Sequence, residues 1–363
     1  MTLYLLVLLG QEIYVNPAKG RKYNVDDFAG LLQKYEAQTY VQYQTVNADY
    51  QYPVTISRHA LKKAFVSWDA LERFVGQLAN SLYNGAYIQD YNNTKLIISN
   101  AYRENIAQIQ VIDEPNTEAL AKEFVTKART LYLNFQLPST EYNAWAKNEN
   151  SYGEPVKTWT NPEDVVILIR NDVRSYLDVE ILSMSFNMSK SELLGRIYSI
   201  DNFDIYNDEG TKIFDGSNIV GIICDKSWFR IKQQDLYLDE FYNANNRCWS
   251  YFLNSTKLFG YSLFANGVIF ATAMPSIATT AIEFVEESGS VVAGQKIKLH
   301  IKTTPFTSTD TITFSSSSTT YATVTKIDNR TVEVTGASAG SATITATNGT
   351  VSDTCTVTVS AAS

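Results

Sequence analysis

Few side chains in this chain stand in arrangements that could do chemistry. Acid–base work needs two carboxylates aimed at one substrate. The adjacent pairs Asp239/Glu240 and Glu286/Glu287 lie in strand-like sequence, where neighbours point to opposite faces. They are expected to be solvated. His59 and His300 are the two histidines and lie far apart, so a histidine-based triad or metal centre has little to draw on. Cys224, Cys248 and Cys355 form no C-x-x-C pair, which argues against a thiolate zinc site or a disulfide framework. The glycine-bearing segment GASAG (336–340) sits between two Thr/Val strands with no helix after it, so it reads as a turn and not as a phosphate cradle. No H-E-x-x-H or Walker motif is present, and GASAG, although it fits G-x-S-x-G, lacks the helix that a nucleophile elbow needs after it. Asn-x-Ser/Thr triplets begin at Asn92, Asn187, Asn254, Asn329 and Asn348, as chance would supply in a chain this rich in Asn, Ser and Thr. The sequence disfavours an enzyme, and no catalytic, cofactor-binding or metal-binding residue is expected.

Composition narrows the remaining classes. The formal net charge of −8 argues against a dedicated nucleic-acid binder, which usually carries a basic excess or stripe. The chain has 23 tyrosines, a residue that buries area yet keeps a polar tip and so suits interfaces as well as cores. At 363 residues, two domains are the natural expectation.

The elements that would position these groups change character along the chain. Leu3 to Leu9 is too short to span a bilayer and has no basic segment before it, so it reads as a buried strand. Tyr40 to Val46 and Tyr50 to Ile56 are extended runs, the second with alternating apolar residues, and Asn47-Ala48-Asp49 offers turn chemistry between them. A projecting two-stranded hairpin over 37–57 is expected, with Pro53 on an open edge. Ser67 is a candidate N-cap for a long helix over about 67–103. Trp68, Leu71, Phe74, Val75, Leu78 and Leu82, running on through Tyr87 and Tyr91, are expected to form its core face. A second helix is expected over 116–133, with Leu120, Phe124, Ala128 and Leu131 on one face. A buried strand, Val165 to Ile169, should run into a helix bearing Val173, Tyr176, Leu177 and Ile181. Strands follow at 195–200, 218–225, 228–232 and 247–253, and Asn266-Gly267 splits 259–275 into two more. This body is α+β.

After the weakly patterned SIATT (276–280), aromatics thin out. Short alternating strands recur every eight to twelve residues, with turn signals at Ser288-Gly289, Ala293-Gly294, Asp328-Asn329, Gly336 to Gly340 and Asn348-Gly349. That is the pattern of a small β-sandwich able to fold alone behind a join that few contacts cross. Its expected inward residues are Ile282, Phe284, Val292, Ile297, Leu299, Ile312, Val324, Val332, Val334, Ile344, Val357 and Val359, with Cys355 as a small buried apolar group.

The segments TITFSSSSTTYATVTK, VTGASAGSATITAT and SDTCTVTV make the tail, residues 281–360, resemble the bacterial Ig-like domain of group 2, an attachment module. PVTISRHALKKAFVSWDALERFVGQLANSLYNGAYIQDYNNTKLII, ILSMSFNMSKSELLGRIYSIDNFD and GIICDKSWFRIKQQDLYLDEFYNANNRCWSYFL resemble the major capsid proteins of small short-tailed, phi 29-like phages. The resemblance implies the Hong Kong 97-type capsid fold over 1–275. Its extended loop would fall at about 37–57, its spine helix at about 67–103 and its axial domain within about 135–245, with the Ig-like domain at 276–363. It implies intersubunit roles for Tyr40, Tyr43, Tyr50 and Tyr52, and a spine-helix role for Trp68, Leu71, Phe74, Leu78 and Leu82. Implied partners are further copies of the chain in hexamers and pentamers, a separate scaffolding protein, a portal protein and packaged double-stranded DNA held without sequence specificity. The Ig-like domain would add a host-surface glycan or protein. The implied location is the virion, assembled in the host cytoplasm. No Lys/Asn/Glu trio matches the cross-linking members of the fold. The alternative reading is a bacterial surface adhesin subunit, which should show a signal peptide and tandem Ig-like modules.

Overall fold

The computed structural model of the chain describes residues 10–20, 34–57, 68–147, 155–177, 196–207 and 209–361. The expected strand at Leu3 to Leu9, the cap Ser67, His59 and Ile181 lie outside them, as do the side chains of Trp68, Leu71 and Val75. The chain divides into two compact units. One comprises residues 1–100, 110–146 and 155–272; the other comprises 101–109, 147–154 and 273–363.

In the first unit, which the long helix and one short strand below leave only at residues 101–103 and 108–109, β1 (Gly10–Val15) pairs antiparallel with β2 (Thr39–Gln44), Gly10 opposite Gln44 and Val15 opposite Thr39. Next come β3 (Ala48–Ser57) and the long helix α1 (Trp68–Arg103). They are followed by β4 (Gln108–Val111), α2 (Glu118–Asn134), β5 (Val165–Arg170) and the single-turn α3 (Asn171–Ser175). The short strands β6 (Ile197–Ile200), β7 (Ile205–Tyr206) and β8 (Lys212–Phe214) lead to β9 (Ile219–Asp225). A long ribbon, β10 (Phe229–Asn243) with β11 (Cys248–Tyr261), precedes β12 (Gly267–Ala271).

A five-stranded sheet has the order β4-β12-β9-β5-β6, with β5 and β6 parallel. It draws β4 and β12 from outside 135–245. β9 is buried on both faces, which explains its run of Ile, Val and Cys around the single Gly221. α2 starts at Thr117, whose hydroxyl accepts from Leu120 N at 3.4 Å, and lays Phe124, Val125, Ala128 and Leu131 on this sheet. Phe124 meets Phe270 edge-on, centroids 4.9 Å apart.

The second sheet is β10-β11-β3. The two runs expected to form a hairpin are strands, but they do not pair with each other. β2 takes β1 as its partner, and β3 pairs along its length with β11, Ala48 opposite Lys257 and Ser57 opposite Cys248. The reason is amphipathicity: Tyr52 and Val54 line a face that packs with Tyr251, Leu253, Leu82 and Ala86, and a projecting hairpin would leave that face wet. Pro53 does sit on an edge strand. β10 and β11 run far beyond 228–232 and 247–253, because polar Lys232 to Glu240 continues a ribbon that sequence periodicity alone ends early. Tyr87 and Tyr91 are not core residues. The buried side of α1 rotates through Leu82, Ala86, Ile97, Ile98 and Ala101, leaving Tyr83, Tyr87, Ile88 and Tyr91 exposed.

In the second unit, eight strands form two sheets. The first sheet, β13-β15-β18-β17, comprises β13 (Ala281–Phe284), β15 (Lys296–Thr304), β17 (Ala322–Lys326) and β18 (Thr331–Gly336). The other, β14-β20-β19-β16, comprises β14 (Ser288–Val292), β16 (Thr313–Ser316), β19 (Gly340–Thr347) and β20 (Ser352–Ser360). Of the expected inward residues, Val292 is exposed and Val291 takes its place, opposite Val359 in a parallel pairing. Ser288-Gly289 is strand, not turn. Ile301, Ala322, Ala342 and Ala346 complete the core, and Cys355 is buried in it. The join is not free. Ile277 N donates to Thr309 Oγ1 at 2.8 Å, Thr279 N to Asp310 Oδ2 at 2.7 Å and Thr280 N to Thr304 O at 2.7 Å. An apparently unpatterned linker is thus stitched onto the loop after β15.

Candidate assembly surface

A charged cleft of about 700 Å³ in the first unit is lined by Glu114, Arg170, Asp172, Asp204, Lys212 and Asp215 among others. Its charges are spent on one another. Arg170 donates to Asp172 Oδ1 at 2.6 Å, to Glu114, and to Ser217 O at 2.6 Å, fastening α3 and two loops at one end of the sheet. Partial burial would raise the Asp172 carboxyl, but hydrogen bonds from Arg170 and from backbone hold it below the usual range. Among the described residues no group of three or more His, Cys, Asp and Glu side chains could hold a metal ion. His300 Nδ1 lies 2.8 Å from Glu286 Oε1, and Asp239 accepts from Asn254 at 2.9 Å, so the candidate acids serve local contacts.

What the first unit does present is apolar surface on rigid elements. On one face of the β10-β11-β3 sheet a polar ladder crosses all three strands: Gln51 Nε2 donates to Asn254 Oδ1 at 2.8 Å, and Asn254 Nδ2 to Asp239 Oδ2 at 2.9 Å. Thr55 and Ser250 hydroxyls bond at 2.9 Å alongside. Tyr237 and Phe241 alternate with this ladder and are exposed by 53% and 60%, while Leu238, on the other face, is exposed by 52%. β10 pairs on one side only among the described residues, so its outer backbone groups offer a template for another strand. Asp235, Asp239 and Glu240, with the register shift between Gln233 and Asp235, are the features that keep such an edge from pairing indiscriminately. Along α1, Tyr83, Tyr87, Ile88 and Tyr91 add a second exposed apolar stripe.

The sequence-chosen residues scatter over this surface. Tyr43 is exposed. Tyr40 packs on Trp145 with ring centroids 4.9 Å apart. Tyr50 and Tyr52 face α1. Tyr50 Oη donates to Asn93 Oδ1 at 3.4 Å, and Tyr52 lies under Gly85, where a Cβ would come within 3.3 Å of its ring. Burial first, then the charges of Asp90 and Tyr50, push the Tyr52 hydroxyl up to about 12. Leu82 is buried, while Phe74 and Leu78 are half-buried. Tyr237, Leu238 and Phe241 were missed. Their signal is QQDLYLDEFY, where apolar side chains fall on both faces of a polar strand and neither face can be a core.

α1 is locked to the segment after β6 through Asp201. Its carboxylate accepts Tyr91 Oη at 2.6 Å and Lys95 Nζ at 2.9 Å, and Lys95 is itself buried. Partial burial would raise this carboxyl, but the bonds from Tyr91 and Lys95 outweigh it and hold it below the usual range. A depressed carboxyl stabilises the fold above its unfolded-state value near 4, and the contribution is lost as pH falls through the folded value. Asp201→Asn should lower the melting temperature by about 2–4 °C at pH 7. Melting curves of both proteins at pH 7 and below pH ~3 check this, with the gap closing in acid.

Among solved structures, the chain resembles one in the capsid structure of Staphylococcus phage Andhra, with a TM-score of 0.59 at 15% identity over 73% of this chain and 80% of that one. It also resembles a chain in the structure of the head fiber and inner core protein gp22 of native bacteriophage P68, with a TM-score of 0.54 at 13% identity over 73% and 81%. The long helix laid on a three-stranded ribbon, beside a five-stranded α+β layer, is the Hong Kong 97-type fold of capsid subunits. Residues 9–271 match the family model of the Phi29-like phage major capsid protein, and the chain belongs to that family. Residues 278–359 match the bacterial Ig-like domain, group 2. Curated relatives include the major capsid proteins of Bacillus phage B103, 28% identical over 78% of this chain, and of Streptococcus phage Cp-1, 26% identical over 70%. The chain spans 60% of the length of the B103 protein and 57% of that of Bacillus phage PZA. A match through the whole body does not favour the adhesin alternative.

Proposed function

We propose that the chain is the shell-forming subunit of a phage head: many copies, as hexamers and pentamers, close into an icosahedral wall around double-stranded DNA. The observation that carries this is the family match over residues 9–271. The exposed apolar residues of β10 and α1 support it, because surface of this kind on rigid elements suits repeated contacts between copies. A separate scaffolding protein directs closure, and a portal protein occupies one vertex. The subunit holds DNA without sequence preference, in keeping with its net charge of −8. The Ig-like domain faces outward, toward a host-surface glycan or protein. Assembly takes place in the host cytoplasm, and the finished location is the virion. The Tyr43 side chain and the β10 edge stand at subunit contacts. The reading is tested by co-expression with the scaffolding protein from the same phage and light scattering of the product. Large closed particles are expected; a monodisperse monomer would overturn the reading.

A further inference from the structure

The second unit joins the Ig-like module to the last residues of α1 and the segment after them, residues 101–109, and to Lys147. The helix stops where Asn105 takes the left-handed conformation (φ 52), with Ile106 N and Ala107 N both returning to Ala101 O. Three side chains then bridge to the module. Tyr102 Oη donates to Ala273 O at 2.8 Å. Asn105 Nδ2 donates to Thr307 O at 3.1 Å. Lys147 Nζ donates to Asn105 Oδ1 at 2.9 Å and to Ala107 O at 2.6 Å, so it grips the residue that grips the module.

The ends of this bridge are themselves firm. Thr307 lies in the loop after β15, whose Thr309 and Asp310 hold the join. The Arg330 guanidinium lies over the Phe306 ring, 3.8 Å from its centroid, and donates to Phe306 O. Both acceptors on Lys147 Nζ are uncharged oxygens, and a neutral amine has two N–H donors to match them. Charging the amine adds a cation to a half-buried position that already feels the charge of Arg330. The other charged groups at the helix end, Arg103 and Glu104, pair with each other at 3.4 Å.

We propose that Lys147 and Asn105 form a latch, tightest when Lys147 is uncharged, that seats the Ig-like module on the end of α1. The module then has a seated and a released state on this helix end. Burial first, then the charge of Arg330, bring the Lys147 ammonium down to about 8 from its ordinary 10.5. The seated state therefore binds fewer protons than the released state, and seating strengthens as pH rises from about 8 towards 10.5. Between pH 6.5 and 8.5 the seating constant should rise about fourfold.

The test is amide hydrogen exchange on the full chain, read on peptides from 101–109, 304–309 and the β19–β20 hairpin. Lys147→Met should speed exchange at the first two sites by tenfold or more and leave β19–β20 unchanged. Asn105→Gly keeps the left-handed backbone while removing the bridge, and should do the same. After correction for intrinsic rates, the wild-type protein should gain about fourfold protection at 101–109 from pH 6.5 to 8.5, and Lys147→Met none. Unchanged protection in both variants would overturn the proposal. So would equal loss in β19–β20, which would make Lys147 a general fold residue, or a pH response that persists in Lys147→Met.

Discussion

Deleting Ala48–Ser57 should leave the first unit without a cooperative unfolding transition. The segment pairs along its whole length with β11 and covers Leu253, which is 1% exposed, together with Leu82. Removing it strips Tyr52, Val54 and Ile56 from contacts worth about 1.5–3 kcal/mol per buried apolar side chain. It also leaves the α1 face over the sheet with half its partner. The sum reaches the roughly 5–15 kcal/mol that is the whole stability of a typical domain. Urea titration followed by circular dichroism checks this: the deleted protein should show a low, sloping helical signal with no midpoint. A cooperative transition with assembly alone lost would restore the segment as a loop reaching to a neighbour.

The opposite signature is expected at β10. Tyr237→Asp combined with Phe241→Asp should leave the melting temperature within about 2 °C, because both side chains are more than half exposed within the chain. The same change should abolish particle formation. Buried aromatic anchors at interfaces typically contribute 2 kcal/mol or more each, so every contact made through β10 would weaken by roughly thirtyfold or more for each anchor lost. A closed lattice repeats that contact many times over, and the losses accumulate around each ring of subunits. Sedimentation of the co-expressed product, with a melting curve of the soluble subunit, reads both halves. Normal yields of closed particles would show that this exposed ribbon is not a contact between copies.

Sequence legibility followed sequence distance. α1 could be read as one long helix because its periodicity is local, although of its expected core stripe only Leu82 is buried among the described side chains. The tail sandwich could be read because each strand alternates on its own. What sequence could not supply was pairing with partners some two hundred residues away. Tyr50 and Tyr52 look alike whether they project or lie under a helix, and only Leu253 and Tyr251 on β11 decide between the two. Val291 and Val292 are equally apolar, and only the parallel register with Val359 sends the first inward. Nor could the sequence show that Tyr91 would find a distant acceptor in Asp201 rather than a place in the core. Lys147 and Asn105 carry no motif, and their meeting depends on where a helix ends and a distant turn closes. The assembly surface was the least legible part, since an exposed Phe241 declares itself only once the other face of its strand is also seen to be uncovered.

The most direct test of the shell-subunit assignment is cryo-electron microscopy of purified particles at a resolution that traces the backbone. The predicted result is α1 and the β10-β11-β3 sheet repeated throughout the wall as hexamers and pentamers, with β10 at a boundary between copies and Ig-like density on the outer surface. A wall built from a different chain, with this one confined to an appendage or absent, would contradict the assignment.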